Sequence, residues 1–262
     1  MNDPDLGRFD DWLTWLAERA AADPDARCAW IGGSAATGGW DEWSDLDVVV
    51  LTTPGTSVAT YGRLLAAVRE RFAPDHVWEL PDATWPDGRQ CFVNPQPRAG
   101  RLDEPTRIVD LAVLDVNDAR RVVVVRRHGT PRVLHDPDGL IELRHDDPAL
   151  LEAGAADAVD QIGQRFATAE WLVNRATARG QLPEAVALYL RFGLMPLVQL
   201  LRVEHCPWRH DYGLRYLHTD LPPDVAERVT ALLPGADRMA ELSAECFGWQ
   251  AFLLDPGTTR RH

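Results

Sequence analysis

The sequence contains no lysine; all 27 of its Lys/Arg positions are arginine. That absence excludes Schiff-base chemistry and a P-loop lysine on a nucleotide phosphate. Cysteine is sparse, with four residues (Cys28, Cys91, Cys206 and Cys246) and no C-x-x-C pair. Thiols so scattered read as buried or idle groups in a reducing compartment, not as zinc ligands or a disulfide framework. No run approaches the roughly 18 consecutive apolar residues of a membrane span. The N-terminal segment also lacks the basic-then-apolar order of a signal peptide. A cytoplasmic protein with no membrane partner is expected. Positive charge is in deficit, with 40 acidic against 27 basic residues and a net charge of −13. A surface that coats nucleic acid needs a basic field, so nucleic acid is not an expected partner. A cationic substrate is compatible.

The 262 residues, 45% hydrophobic and 26% charged, are enough for one large domain or two smaller ones with a packed core. Leu6, Phe9, Leu13 and Leu16 recur at helical spacing beside Trp12, which predicts an amphipathic first helix. Short apolar strands are expected over 28–31, 46–51, 76–80 and 90–93, with a brief helical turn over 34–39 and a helix over 61–72. Residues 94–105, rich in Pro, Arg and Gly, read as a loop. Residues 107–115 ("RIVDLAVLD") form a strong strand candidate, and 121–125 a shorter one. From about Pro148 the pattern turns helical, over 150–179, 183–204, 225–233 and 239–254. The expected fold class is α+β. A domain over 1–140, with a small mixed sheet flanked by helices, precedes an all-helical domain over 141–262, the change falling near 135–149.

The stretch "WIGGSAATGGWDEWSDLDVVVLT", residues 30–52, places two aspartates at the entrance of an apolar strand. Residues two apart in a strand point to one face, so Asp45 and Asp47 project together while Leu46 turns to the core. Neighbouring carboxylates repel unless a cation lies between them. Hard oxygen ligands of this kind suit Mg²⁺, which is usually completed by waters and substrate phosphates. Upstream, Gly33 permits close backbone approach to an anion, and the Ser34 hydroxyl is a candidate phosphate contact. Gly38 and Gly39 would let the chain turn back to deliver the strand. Taken alone, the D-x-D pattern reads more readily as a turn capped by Ser44 and Asp45 than as a metal site.

The whole run over 33–50 resembles the nucleotidyltransferase superfamily of DNA polymerase β. The resemblance rests on Gly33-Ser34, a glycine four positions after the serine (Gly38), and Ser44-Asp45-x-Asp47 leading into an apolar strand. It covers roughly the first half of the chain. It implies Asp45 and Asp47 as metal ligands, Gly33, Ser34 and Ser44 as nucleotide contacts, and a third acid on a later strand. Asp110 and Asp115 are the candidates. Asp110 shares a face with Ile108, Ala112 and Leu114 in mid-strand and is preferred as metal ligand and catalytic residue, with an ion pair to Arg107 as its structural alternative. Asp115, near Asn117 and Asp118, reads as turn chemistry.

In size, acidity and helical second half the chain looks most like the aminoglycoside nucleotidyltransferases. The resemblance implies Mg²⁺ and a nucleoside triphosphate, ATP in the first instance, with transfer of the nucleotide to a hydroxyl of a small cationic acceptor. Asp157, Asp160 and Glu170 beside Trp171, and Glu204, are candidate acceptor contacts; each also fits a solvated helix face. Glu79, Asp82, Trp78 and Trp85 form a candidate cleft rim, and Trp40 and Trp43 either flank the nucleotide or pack. Among Arg191, Arg202, Arg209 and Arg215, the last is the candidate phosphate contact. Resembling proteins usually place a lysine there, and this chain has none. Alternatives are transfer to a protein or another metabolite, as in antitoxin-like enzymes, and a nucleotide-binding domain without turnover. A D-x-D glycosyltransferase fits less well, because only 44 residues precede Asp45. Monomer and homodimer are both open.

Overall fold

The apolar spacing at the N-terminus folds into α1 (Asp10–Ala22), entered through a single 3₁₀ turn at Gly7–Phe9. Leu6, Phe9, Trp12, Leu13 and Leu16 are all buried. The computed structural model describes residues 6–94 and 106–235. Most of the expected loop over 94–105, the helix over 239–254 and Cys246 lie outside the described residues. The chain divides into two compact units, Met1–Asp146 and Asp147–His262.

The first unit is built on β1 (Ala26–Ile31), α2 (Gly33–Thr37), β2 (Leu46–Thr52), α3 (Ser57–Phe72), β3 (His76–Glu79), β4 (Gly88–Asn94) and β5 (Val109–Asp115). These are followed by β6 (Val122–Val124), the single turn α4 (Val125–His128), β7 (Arg132–His135) and β8 (Glu142–Arg144). Six strands form one mixed sheet in the order β3-β4-β5-β2-β1-β7, and β6 pairs with β8. β7 and β8 were not expected from the sequence. β8 extends the first unit past residue 140 because it is the partner of β6.

Strand alternation sorts the sheet into two faces. Ile31, Val48, Val50, Leu111 and Val113 point to one side, in a core that includes Trp12 and Leu16 of α1 and Leu64 and Val68 of α3. Burying side chains of this size contributes on the order of 1.5–3 kcal/mol each. Cys28, Trp30, Leu51, Ala112 and Leu114 face the other side, with Trp85, Leu140 and Ile141 against them. Asp47 and Asp110 have the parity of this second face. Cys28, Cys91 and Cys206 are buried free thiols. Burial pushes Cys28 up to about 12 and Cys91 to about 11, so neither is a reactive thiolate at neutral pH.

The second unit opens with α5 (Pro148–Ala178), whose N-cap Asp147 accepts from the Ala149 and Leu150 amides while Pro148 takes the first turn. The helix expected over 183–204 has a more particular form: α6 (Leu182–Tyr189), a π turn at Leu190–Leu194 and α7 (Met195–His205). This 24-residue segment, of mean hydropathy 1.4 in its most apolar window, is long and apolar enough for a membrane span by length and composition alone, and 22% of that window is buried. Leu194 and Val198 enter the unit's core with Leu217 of α8 (Leu217–Asp220) and Ala226 and Val229 of α9 (Pro223–Ala231). Arg202 is completely buried in an ion pair with Asp220.

Candidate active site

β1 ends at Ile31 and the chain turns into α2 through Gly33, which has a φ of +57°. A side chain there would be strained, and its Cβ would land on the Asp47 carboxylate. Glycine is therefore required twice, for the turn and for the space that Asp47 occupies. α2 stops at Gly38, whose φ of 81° lets the chain reverse and whose amide bonds the Ser34 carbonyl. The loop that follows is held by Arg8. Its guanidinium donates to the carbonyls of Thr106 (2.8 Å), Asp41 (2.8 Å) and Ser44 (2.7 Å). It also lies 4.4 Å over the Trp40 ring, and Trp40 packs edge-on to Phe9. Trp40 is thus part of the packing that fixes the loop delivering Asp45.

β2 and β5 run parallel, with Asp47 and Asp110 as register partners. Strands in this arrangement lie about 4.8 Å apart, so the two side chains leave the same face from neighbouring positions. Asp45 sits just outside the strand mouth. Burial pushes the Asp110 carboxyl above its ordinary value, and a hydrogen bond from Gln90 pulls it back; the charge of Asp45 raises it and that of Arg120 lowers it. Among the described residues no three His, Cys, Asp or Glu side chains are gathered into a ready-made metal shell. The acids come instead as a facing pair with a third at the entrance.

The Ser34 hydroxyl is buried with no hydrogen-bond partner among the described residues. An orphaned hydroxyl next to Gly33 has unused capacity for an incoming polar atom. Ser44 is differently placed: its hydroxyl donates to Asp41 Oδ1 and accepts from the Asp41 amide, so it shapes the turn. A cavity of about 270 Å³ opens on this face, lined by Trp30, Gly33, Asp47, Arg120 and His128 among others. Its carboxylate and its arginine give it both signs of charge.

Other sequence candidates have local partners. Asp115 accepts from the Gly55 and Asn117 amides, the chemistry of a turn. Arg107 pairs with Asp11, not with Asp110. Glu79 bonds Tyr61 and Arg69, and Asp82 pairs with Arg89.

In the second unit, Arg202 and Arg209 share Asp220 at 2.7 and 2.8 Å, while Arg191 lies over Phe192. Arg215 is exposed beside the Tyr216 ring, and its carbonyl accepts from Arg202. Asp157 and Asp160 bond Gln161 and Gln164 one helical turn away. Glu170 lines a separate cavity of about 220 Å³ with Phe166, Tyr189 and Phe192.

Three residues near the carboxylates had no functional signal in the sequence: Arg8, Gln90 and Arg120. Compared with known proteins, the chain matches no family profile and no curated protein.

Proposed function

We propose that the chain is a Mg²⁺-dependent nucleotidyltransferase that moves a nucleoside monophosphate, AMP from ATP in the first instance, to a hydroxyl of a small cationic acceptor such as an aminoglycoside, with release of pyrophosphate. The observation that carries this reading is the opposition of Asp47 and Asp110 on adjacent parallel strands. The spacing of Gly33, Ser34, Gly38, Ser44, Asp45 and Asp47 supports it independently.

The residues present fit a Mg²⁺ ion. Mg²⁺ keeps several waters and takes one or two carboxylates plus substrate phosphate oxygens, so an all-protein cage is not required. Asp45, Asp47 and Asp110 would hold it, and when bound it supplies charge neutralisation to the triphosphate. The chain itself contributes positioning. Ser34 offers its orphaned hydroxyl to a phosphate oxygen, and Gly33 leaves room for close approach. The acceptor oxygen bonds to the α-phosphorus as the bond to the β-bridging oxygen breaks. Pyrophosphate leaves with the electron pair, and the hydroxyl proton passes to a base, for which Asp110 is the candidate. A raised carboxyl pKa suits that role. A chain of net charge −13 attracts a polycationic acceptor and repels a nucleic acid.

The test is pyrophosphate release from ATP and Mg²⁺ across a panel of aminoglycosides, with Asp45→Ala alongside. Acceptor-dependent release lost in the variant supports the reading, and mass spectrometry then locates the adduct. ATP and Mg²⁺ binding without release redirects the acceptor to a protein or another metabolite. A protein that shows no ATP binding and no release would reject the nucleotidyltransferase reading.

A further inference from the structure

The geometry points to Gln90 as a positioning residue: held in place by Trp85, it fixes one oxygen of Asp110 and so aims the carboxylate that the reaction proposed above would use. The inference rests on that reading of Asp110.

The two hydrogen bonds can run in one sense only. An indole N–H donates and never accepts, so Gln90 must turn Oε1 toward Trp85 Nε1, 2.8 Å away. Its amide nitrogen is thereby presented to Asp110 Oδ1 at 2.6 Å. A bond that short, to a carboxylate, is charge-assisted and among the stronger neutral-donor contacts. Gln90 pairs in register with Ala112, two residues along the same face from Asp110, so it reaches the acid diagonally across the strands.

Trp85 is itself held. The Arg120 guanidinium lies 3.7 Å from its ring, and the ring packs on the cluster of Cys28, Trp30 and Leu114. The chain Arg120, Trp85, Gln90, Asp110 therefore sets the rotamer of each member before any ligand arrives. A carboxylate with Oδ1 engaged cannot spin about its terminal torsion, so a cation or hydroxyl need not freeze that motion.

The experiment compares the wild type with Gln90→Glu, Gln90→Ala, Trp85→Phe and Asp110→Asn. Mn²⁺ alone is titrated by electron paramagnetic resonance, and single-turnover transfer is measured with MgATP and acceptor. Gln90→Glu keeps the size of the side chain but loses the N–H and faces Asp110 with a like charge. Its single-turnover rate and Mn²⁺ affinity should each fall by about 10–100-fold, with nucleotide KM nearly unchanged and a melting temperature lowered by the new like charge. Gln90→Ala should fall in the same range. Trp85→Phe keeps a ring but frees the amide, and should fall by a smaller factor, which tests the chain even where a Gln90 variant folds poorly.

Wild-type rates and Mn²⁺ affinities in Gln90→Glu and Trp85→Phe would overturn the inference. A wild type that transfers nothing would sink the proposed reaction, yet the Mn²⁺ titration still judges Gln90. Affinity lowered by Gln90→Glu, and not lowered further by adding it to Asp110→Asn, upholds the positioning role. Additive losses overturn it, as would a wild type that binds no Mn²⁺ at all.

Discussion

Asp47 on β2 and Asp110 on β5 are register partners across the one parallel pairing in the described six-stranded sheet. Two carboxylates placed this way repel, and burial adds a desolvation cost to each ionised form. The Asp110 carboxyl is pushed up chiefly by its burial, with the charge of Asp45 adding to the effect. A part-buried carboxylate beside other acids costs stability in its ionised form, and a bound cation would offset that cost.

Removing the Asp110 charge should therefore stabilise the unliganded protein. A carboxyl whose folded-state pKa is raised adds no penalty at pH below its unfolded-state value. The penalty grows as pH rises between the two values and is complete above the folded one. Asp110→Asn keeps an acceptor for Gln90 and should gain about 0.5–2 kcal/mol at pH 7, an advantage that shrinks toward pH 4. With saturating Mg²⁺ and ATP the order should reverse, because only the wild type gains binding free energy. Urea melts at the two pH values, with and without ligand, check both halves; a variant less stable than wild type at pH 7 refutes the account.

Gly33→Ala should damage site and fold together. A non-glycine residue in the left-handed region costs roughly 1–2 kcal/mol, and the new methyl displaces the Asp47 carboxylate. Transfer activity should fall at least about tenfold, in keeping with the sensitivity of positioned groups to small displacements. Gly62, within α3 and with open space around its Cα, is the control: Gly62→Ala should raise stability by about 0.5–1 kcal/mol and leave activity alone. Equal effects at the two glycines would show that Asp47 does not depend on the space at Gly33.

Arg8→Ala should loosen the mouth of β2. The guanidinium bonds three carbonyls from two loops, and its partial exposure limits the total loss to about 2 kcal/mol. Because the Ser44 carbonyl lies next to Asp45, Mg²⁺ affinity should fall along with the melting temperature. Arg8→Lys should recover little, since an ammonium cannot reproduce the planar fork. Recovery by lysine to wild-type behaviour would mean that charge alone suffices.

Arg202→Ala should destabilise the second unit by about 3–5 kcal/mol, because it strands a buried Asp220 with only Arg209 to neutralise it. The lost bonds to the Gly213 and Arg215 carbonyls add to the effect. Chemical denaturation followed by hydrogen exchange would place the loss in that unit. A change below about 1 kcal/mol would mean the network is replaceable by repacking.

The elements readable from the sequence are those that local chemistry dictates. The apolar runs of β1, β2 and β5, the helical spacing of α1 and α3, and the glycines flanking α2 each carry their instruction within a few residues. Its mid-strand setting likewise set Asp110 apart from Asp115, whose carboxylate takes the turn amides of Gly55 and Asn117. β7 and β8 escaped because strands of four and three residues, rich in charge and histidine, have no alternation of their own. They exist because β1 and β6 offer edges to pair with.

Only the tertiary structure decided which residues stand beside the acids. That β5 lies parallel to β2 and β4 antiparallel to β5 is a matter of long-range pairing, set by burial over the whole sheet. Gln90 lies twenty positions before Asp110 in the chain, and Arg8 ninety-eight before Thr106, yet both pairs are bonded. Side chains so distant carry no mutual signal in one sequence. The sequence by itself determined that carboxylates would stand at a strand mouth behind a glycine turn. The folded sheet determined which neighbours hold them, because closeness between strands is created only when their apolar faces are buried together.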